Sequence, residues 1–394
     1  MGALRKVRGR LRAAIAASVP QAEQGRHIDP IEAPAPDRSA WGASFTAAFE
    51  SPEMETFRAG LRLGDRDVRA SVLDDLATYH GITLEQARTR CLDWERDSLA
   101  EWEAVEDRVE FYRTVQSWGF DLMWWAYLQA EGHADPSHVI AMRWLRQHTS
   151  YSLDGRKHLD FGSGAGITSQ LFADCGYGTT LADLSSTLLD FARFRLERRG
   201  VGATYLDLGT ERLPEGRYDV VTAIDTLAHV PDLASTGRDL HAALRPGGVL
   251  IANFDIREEA PETAWHLQDD DLRATYELRR SGFTPMGRLG YGLVAYRSVH
   301  DSGIRRGMRI ARDWLTLVSP PRRLARRLGR PLLRAAGTYL ERRRLRRRGP
   351  ATGPAQNPAQ NPAQNPARNP ALDIPAQRGG NGVDEPTARV RRHR

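Results

Sequence analysis

Between His158 and Ile167 the chain reads His-Leu-Asp-Phe-Gly-Ser-Gly-Ala-Gly-Ile, a short run that ends in an acid and passes into glycines at alternate positions, Gly162, Gly164 and Gly166. An apolar helical pattern, Ile167, Leu171 and Phe172, follows at once. The order predicts a strand, a tight turn and a helix. Glycine serves where a backbone must take positive φ and let a ligand approach without a Cβ in the way, so a nucleotide-shaped ligand is the first implication. The spacing narrows the choice. A dinucleotide fingerprint counted from Gly162 needs a small residue where Ile167 stands, and a Walker loop needs a lysine that never follows these glycines. NAD and ATP are both disfavoured.

Strand and helix signals alternate after this loop: Thr179 to Asp183, Leu188 to Arg199, Thr204 to Leu208, Tyr218 to Asp225, Leu233 to Leu244, and Val249 to Phe254. Such alternation predicts an α/β fold, a parallel sheet with helices on both faces. A helix over Asp270 to Arg280 then precedes two β-rich runs, Phe283 to Leu289 and Gly292 to Arg297, that read as a closing antiparallel pair. In a parallel sheet the ligand sits at the C-terminal strand ends. Asp160, Asp183, Asp207 and Asp225 all end predicted strands. Any one of them serves equally well as a helix cap or turn residue; their order carries the signal.

Asp-x-Gly-x-Gly-x-Gly resembles the first motif of class I S-adenosylmethionine-dependent methyltransferases. The later set, Asp183, Asp207-Leu208, Asp225 with His229-Val230-Pro231-Asp232, and Leu244-Arg245-Pro246-Gly247-Gly248, resembles the ubiquinone and menaquinone biosynthesis methyltransferases and their small-molecule relatives. The resemblance covers about residues 138 to 300. It implies a Rossmann-like, mostly parallel seven-stranded sheet and S-adenosylmethionine as cofactor. Gly162, Gly164 and Gly166 would take the methionyl end, Asp183 the ribose hydroxyls, and Asp207 and Leu208 the adenine, with Asp160 and Asp225 completing the cofactor set. One departure is Ala228, where members of that group often carry an acid directly before the histidine.

The implied chemistry is an in-line attack on a sulfonium methyl, for which the protein holds two reactants in near-attack geometry. His229 follows the fourth strand, where the acceptor should lie, and an imidazole can take a hydroxyl proton near neutral pH. Packing against the next helix is the competing role. His266, beside Trp265, is a second candidate. Asp269, Asp270 and Asp271 nearby suggest a divalent metal, but acids at a helix start are explained by the helix dipole, and no metal is predicted.

Composition sets the surroundings. Cys91 and Cys175 lie far apart with no Cys/His cluster, so neither a disulfide framework nor a zinc site is expected, and a reducing cytoplasm is the natural setting. The net charge of +6 is unevenly spread: residues 305 to 348 hold sixteen arginines against two acids, a local +14 that leaves the rest at −8. Methylation of nucleic acid is disfavoured, because the site after the fourth strand reads Asp225-Thr226-Leu227-Ala228 rather than Asn/Asp-Pro-Pro-Tyr/Phe. Leucines interleave with these arginines at Leu324, Leu328, Leu332 and Leu340, which fits a peripheral contact with an anionic membrane.

Five regions are expected. Residues 1–40 are a basic leader and proline-bearing linker, whose apolar run is too short for a signal peptide. Residues 41–137 form a helical cap, with a capping box at Thr83-Leu84-Glu85-Gln86. One helix face carries Leu84, Ala87, Cys91, Trp94, Leu99 and Trp102; a second helix carries Phe111, Val115, Trp118, Leu122 and Trp125, aromatics that read as core. Residues 138–302 are the methyltransferase-like core and 303–348 the arginine-rich segment. Residues 349–394, with Asn-Pro repeats from Asn357 to Pro370, lack the composition to bury a core and are expected to be disordered. The expected function is methyl transfer to a hydroxyl of a small-molecule, lipid-linked or sugar acceptor. The rival is a non-catalytic S-adenosylmethionine-binding scaffold recruited to membranes.

Overall fold

The computed structural model describes residues 28–33, 35–36, 41–148, 155–256, 265–268 and 270–319, all within the compact unit Met1–Arg330. The basic leader, the arginine-rich stretch beyond residue 319 and the repeat tail lie outside the described residues. Among those described, no helix is long and apolar enough to cross a membrane.

Among the described residues, eight helices precede the sheet: α1 (Ala43–Phe49), α2 (Pro52–Leu61), α3 (Val68–His80), α4 (Leu84–Leu92), α5 (Trp94–Ala104), α6 (Arg108–Thr114), α7 (Ser117–Glu131) and α8 (Ser137–His148). Their starts are chemically marked. Thr83 and Gln86 form the reciprocal capping box at α4, and Ser51, Asp67 and Asp107 accept the first amides of α2, α3 and α6. Both long periodic runs divide. The first breaks at Asp93, and Leu84, in the first turn, is 55% exposed rather than buried. The second breaks after Val115, where the Glu101 carboxylate accepts the amides of Gln116 (2.9 Å) and Ser117 (3.1 Å) and so starts α7 afresh. That contact spans fifteen residues, beyond the reach of a local pattern.

The sheet has seven strands in the order β3-β2-β1-β4-β5-β7-β6: β1 (Lys157–Phe161), β2 (Gly178–Asp183), β3 (Thr204–Asp207), β4 (Tyr218–Ala223), β5 (Leu244–Ala252), β6 (Phe283–Gly290) and β7 (Leu293–Ser298). β1 to β5 are parallel, and β7 lies antiparallel between β5 and β6. Continuous apolar runs such as Val249 to Ala252 suit strands covered on both faces. The first and fourth strands are neighbours, so the chain departs to opposite sides after β1 and β4 and leaves a crevice at their C-terminal ends. Helices α9 (Ile167–Asp174), α10 (Ser186–Arg198), α11 (Leu233–Ala243) and α12 (Asp271–Arg280) complete the wound core.

The N-terminal helices share their interior with the sheet. Phe57, Leu76, Phe120 and Trp124 belong to one buried cluster with Phe172, Val220 and Ile251. Charge reinforces this seam. Asp75 of α3 and Arg195 of α10 are both fully buried; Asp75 pairs with Arg198 at 2.6 Å, with Arg199 at 2.7 Å and more loosely with Arg195 at 3.6 Å. Burial, with Arg199 adding to it, pulls the Arg195 guanidinium down to about 9 against the attraction of Asp75. Breaking a buried pair by removing one partner typically costs about 3–5 kcal/mol. Asp75→Ala should therefore lower unfolding free energy by about that much in urea, whereas Asp74→Ala, in a more exposed pair, should cost no more than about 1 kcal/mol. Equal losses would contradict this account.

Candidate active site

The turn after β1 has the predicted backbone: φ is +70° at Gly162, +49° at Gly164 and +74° at Gly166. Each glycine also admits a different neighbour. A Cβ at Gly162 would lie 2.1 Å from Thr226 Cγ2, one at Gly164 2.5 Å from Leu122 Cδ1, and one at Gly166 2.9 Å from Leu181 Cδ2. The loop after β4, helix α7 and strand β2 therefore all close on this turn.

Gly162, Gly164, Asp183, Leu208, Asp225 and His229 line one cavity of about 590 Å³. Asp183 is placed by its own loop: Oδ2 accepts the Gly164 amide at 2.8 Å and Oδ1 the Ser185 amide at 2.9 Å. Burial raises its carboxyl, against the pull of those amides. Three predicted residues lie outside the lining, the first being Gly166, which packs against Leu181 and Ala192 instead. Asp207 accepts the Gly209 amide at 2.7 Å, a turn contact, leaving Leu208 to face the cavity. Asp160 sits behind the glycines, where Oδ2 accepts from Ser169 N (3.1 Å) and Oγ (3.0 Å) and Oδ1 from Thr222 Oγ1 (2.9 Å), tying the start of α9 to β4. Desolvation pushes its carboxyl up to about 6 despite these donors.

Asp225 takes φ +53°, a backbone region rare outside glycine. Asn253, at the end of β5, clamps it: Asn253 Oδ1 accepts the Asp225 amide at 2.7 Å and Nδ2 donates to Asp225 Oδ1 at 2.6 Å. The Tyr291 hydroxyl donates to Oδ2 at 3.3 Å, and Tyr291 itself has φ +50°. Neither Asn253 nor Tyr291 stands out in the sequence, because each meets Asp225 only through sheet order.

His229 ends a single 3₁₀ turn, Leu227–His229. Its Nδ1 lies 3.0 Å from the Trp265 carbonyl oxygen, which can only accept, so Nδ1 carries the proton and the neutral ring keeps its lone pair on Nε2. The Tyr112 hydroxyl donates to the same carbonyl. The amides of Leu267 (2.8 Å) and Gln268 (3.1 Å) bond the Ala228 carbonyl, strapping residues 265–268 to the loop after β4. Trp118 lines the cavity beside His229 rather than lying wholly in the core, Tyr112 lines it while belonging to the buried cluster of Trp94 and Phe111, and Trp124 and Tyr127 are core. Asp270 accepts the Leu272 and Arg273 amides as the cap of α12, which accounts for one of the acids there. Asp269 lies outside the described residues.

Comparison with known proteins agrees with this geometry. Residues 128–276 match the family described as a methyltransferase domain. Over 131 residues the chain is 38% identical to the ubiquinone biosynthesis O-methyltransferase of Bordetella pertussis, covering 32% of this chain and 53% of that protein. It is 35% identical over 131 residues to the enzyme of that name from Pseudomonas aeruginosa, covering 32% of this chain and 54% of that protein. A solved S-adenosylmethionine-dependent methyltransferase from Mesorhizobium loti is similar over 40% of this chain and 97% of its own, at 21% identity and a TM-score of 0.31. The chain thus spans about half the length of the curated relatives it matches. The α/β part of this protein is similar to a methyltransferase domain over residues 128–276. The residues fit S-adenosylmethionine as cofactor: the positive-φ glycines Gly162 and Gly164, a carboxylate at Asp183 and an apolar wall at Leu208 share one cavity.

The Asp160 carboxyl supplies a pH test. Its folded value, about 6, lies above the unfolded value near ~3.9, so the native state holds the extra proton in that window and this contribution to stability declines as pH rises through it. Urea unfolding from about pH 4 to about pH 6 should show a steeper fall for the wild type than for Asp160→Asn. Parallel curves would contradict the assignment.

Proposed function

We propose that the chain transfers a methyl group from S-adenosylmethionine to a hydroxyl oxygen of a small-molecule or lipid-linked acceptor, with His229 as general base. One observation carries this reading: the glycine cradle and Asp183 open into the same cavity as His229 and its aromatic surround. The relatives' names, O-methyltransferases of ubiquinone biosynthesis, support oxygen as the acceptor atom and suit a ring held beside Tyr112 and Trp118.

When bound, S-adenosylmethionine supplies an electrophilic methyl on a positively charged sulfur. Gly162 and Gly164 leave room for its methionyl end, Asp183 accepts from the ribose hydroxyls, and Leu208 covers the adenine. Asn253 and Tyr291 fix Asp225, and Thr226 beside it donates to the Gly162 carbonyl at 3.3 Å and so holds the β4 loop against the cradle. The acceptor's hydroxyl proton passes to Nε2 of His229 as its oxygen bonds to the methyl carbon. The Trp265 carbonyl retains the proton on Nδ1 and favours the resulting imidazolium. Aromatic walls exclude water from the transfer.

Calorimetric titration of the full chain with S-adenosylmethionine and S-adenosylhomocysteine should show binding, weakened on the order of a hundredfold by Asp183→Ala through loss of hydrogen bonds to a charged acceptor. With methyl-labelled cofactor and a panel of phenols and catechols, His229→Gln should lower kcat by roughly 10²–10⁴ and leave cofactor affinity unchanged. Absence of binding to either ligand would overturn the reading. Binding without transfer to any acceptor would favour the non-catalytic scaffold.

A further inference from the structure

The last described helix is turned inside out. Helix α13 (Gly303–Asp313) continues into a π-type turn, Trp314–Val318, and both pack on α12, the helix with Arg309, Ile310 and Asp313 as its less exposed side and the turn with Val318 buried. Asp313 is 1% exposed and accepts from Arg279 Nη2 at 2.6 Å; Arg309 donates to Asp301 at 3.2 Å and to the Arg279 carbonyl. Apolar side chains face out instead: Ile304 is 82% exposed, Met308 68%, Leu315 61% and Trp314 45%. Positions 304, 308 and 315, with Ala311 between them, share one helix face. Arg305, Arg306 and Arg312 are exposed around it. Surface helices of globular proteins bury the apolar stripe and expose the charges, and a continuous exposed apolar strip marks an interaction site.

We propose that this face of α13 rests on an anionic lipid bilayer, with Ile304, Met308 and Leu315 in the headgroup boundary and the three arginines at lipid phosphates. Charge complementarity selects this occupant. The local excess of +14 begins at Arg305 and is confined to this end of the chain. A nucleic-acid backbone would neutralise the arginines but offer nothing to the apolar stripe, whereas a bilayer surface accommodates both. This inference is independent of the catalytic reading.

Full-length chain should co-sediment with vesicles of equal parts phosphatidylcholine and phosphatidylglycerol, less so at high salt, and not with phosphatidylcholine alone. Arg305→Gln, Arg306→Gln and Arg312→Gln should each weaken binding roughly fivefold. Ile304→Glu/Met308→Glu/Leu315→Glu keeps every arginine and should abolish it, with an unchanged melting curve because the replaced side chains are exposed. Because Cys91 and Cys175 are buried, a nitrobenzoxadiazole probe on Met308→Cys reports this face alone, and its emission should shift to the blue on anionic vesicles. Undiminished binding of the triple-Glu variant would overturn the proposal, leaving charge alone as the cause. So would a probe already blue-shifted without vesicles, which would mean that residues beyond 319 or a second copy cover the face, or a preference for duplex RNA over vesicles.

Discussion

Three adjacent departures from a normal side chain decide how this molecule closes. Gly162 makes room for Thr226, Gly164 for Leu122 and Gly166 for Leu181 and Ala192, so the β4 loop, the N-terminal helical layer and the β2–α10 unit all converge on one turn. Positive φ at all three positions means that any other residue would meet backbone strain as well as a clash. The cavity lies where these approaches meet. Gly162 and Gly164 line it, while Gly166 packs against β2 and α10.

Charge supports this arrangement from behind. Arg195 donates to the Ala165 carbonyl at 2.6 Å and to Gln170 at 2.8 Å while facing Asp75 across the seam, so one buried cation touches the glycine turn, α9 and the N-terminal layer. On the opposite side of the turn Asp160 joins α9 to β4, and a hydroxyl chain extends from it. With Thr222 donating to Asp160, His158 Nε2–H donates to Thr222 (2.8 Å) and His158 Nδ1 accepts from Thr179 (3.0 Å). Burial lowers the His158 pKa and keeps the ring neutral, as this pattern requires. These groups leave the turn little freedom to adapt its shape, which suits a reaction that depends on positioning.

The His229 end of the cavity is built differently, from elements distant in sequence. Trp265 uses its carbonyl to orient His229 and to accept from Tyr112, and its ring to pack among Trp94 and Phe111. One residue thus couples the histidine to helix α6. The strained backbones of Asp225 and Tyr291 meet through a hydrogen bond beside this region, with Asn253 holding the first of them. Such conformations persist only where surrounding contacts overdetermine them.

Much of the cofactor side was legible in sequence because its determinants are local: glycines that need positive φ, acids at strand ends, and alternating patterns that build a parallel sheet. The same local logic found the Thr83 capping box, the helix that follows Asp270 and the antiparallel closing pair, β6 and β7. It failed where a distant partner decided the outcome. Glu101 broke a helix that periodicity would continue, Trp118 reached the cavity wall, and Asp160 turned behind the loop it precedes. Sequence alone determined the class of fold and the glycine turn after β1, since period and backbone conformation are short-range properties. Tertiary structure alone decided which acids face the cavity, which nitrogen of His229 holds its proton and which side of α13 meets solvent, because each depends on groups that only the folded chain brings together.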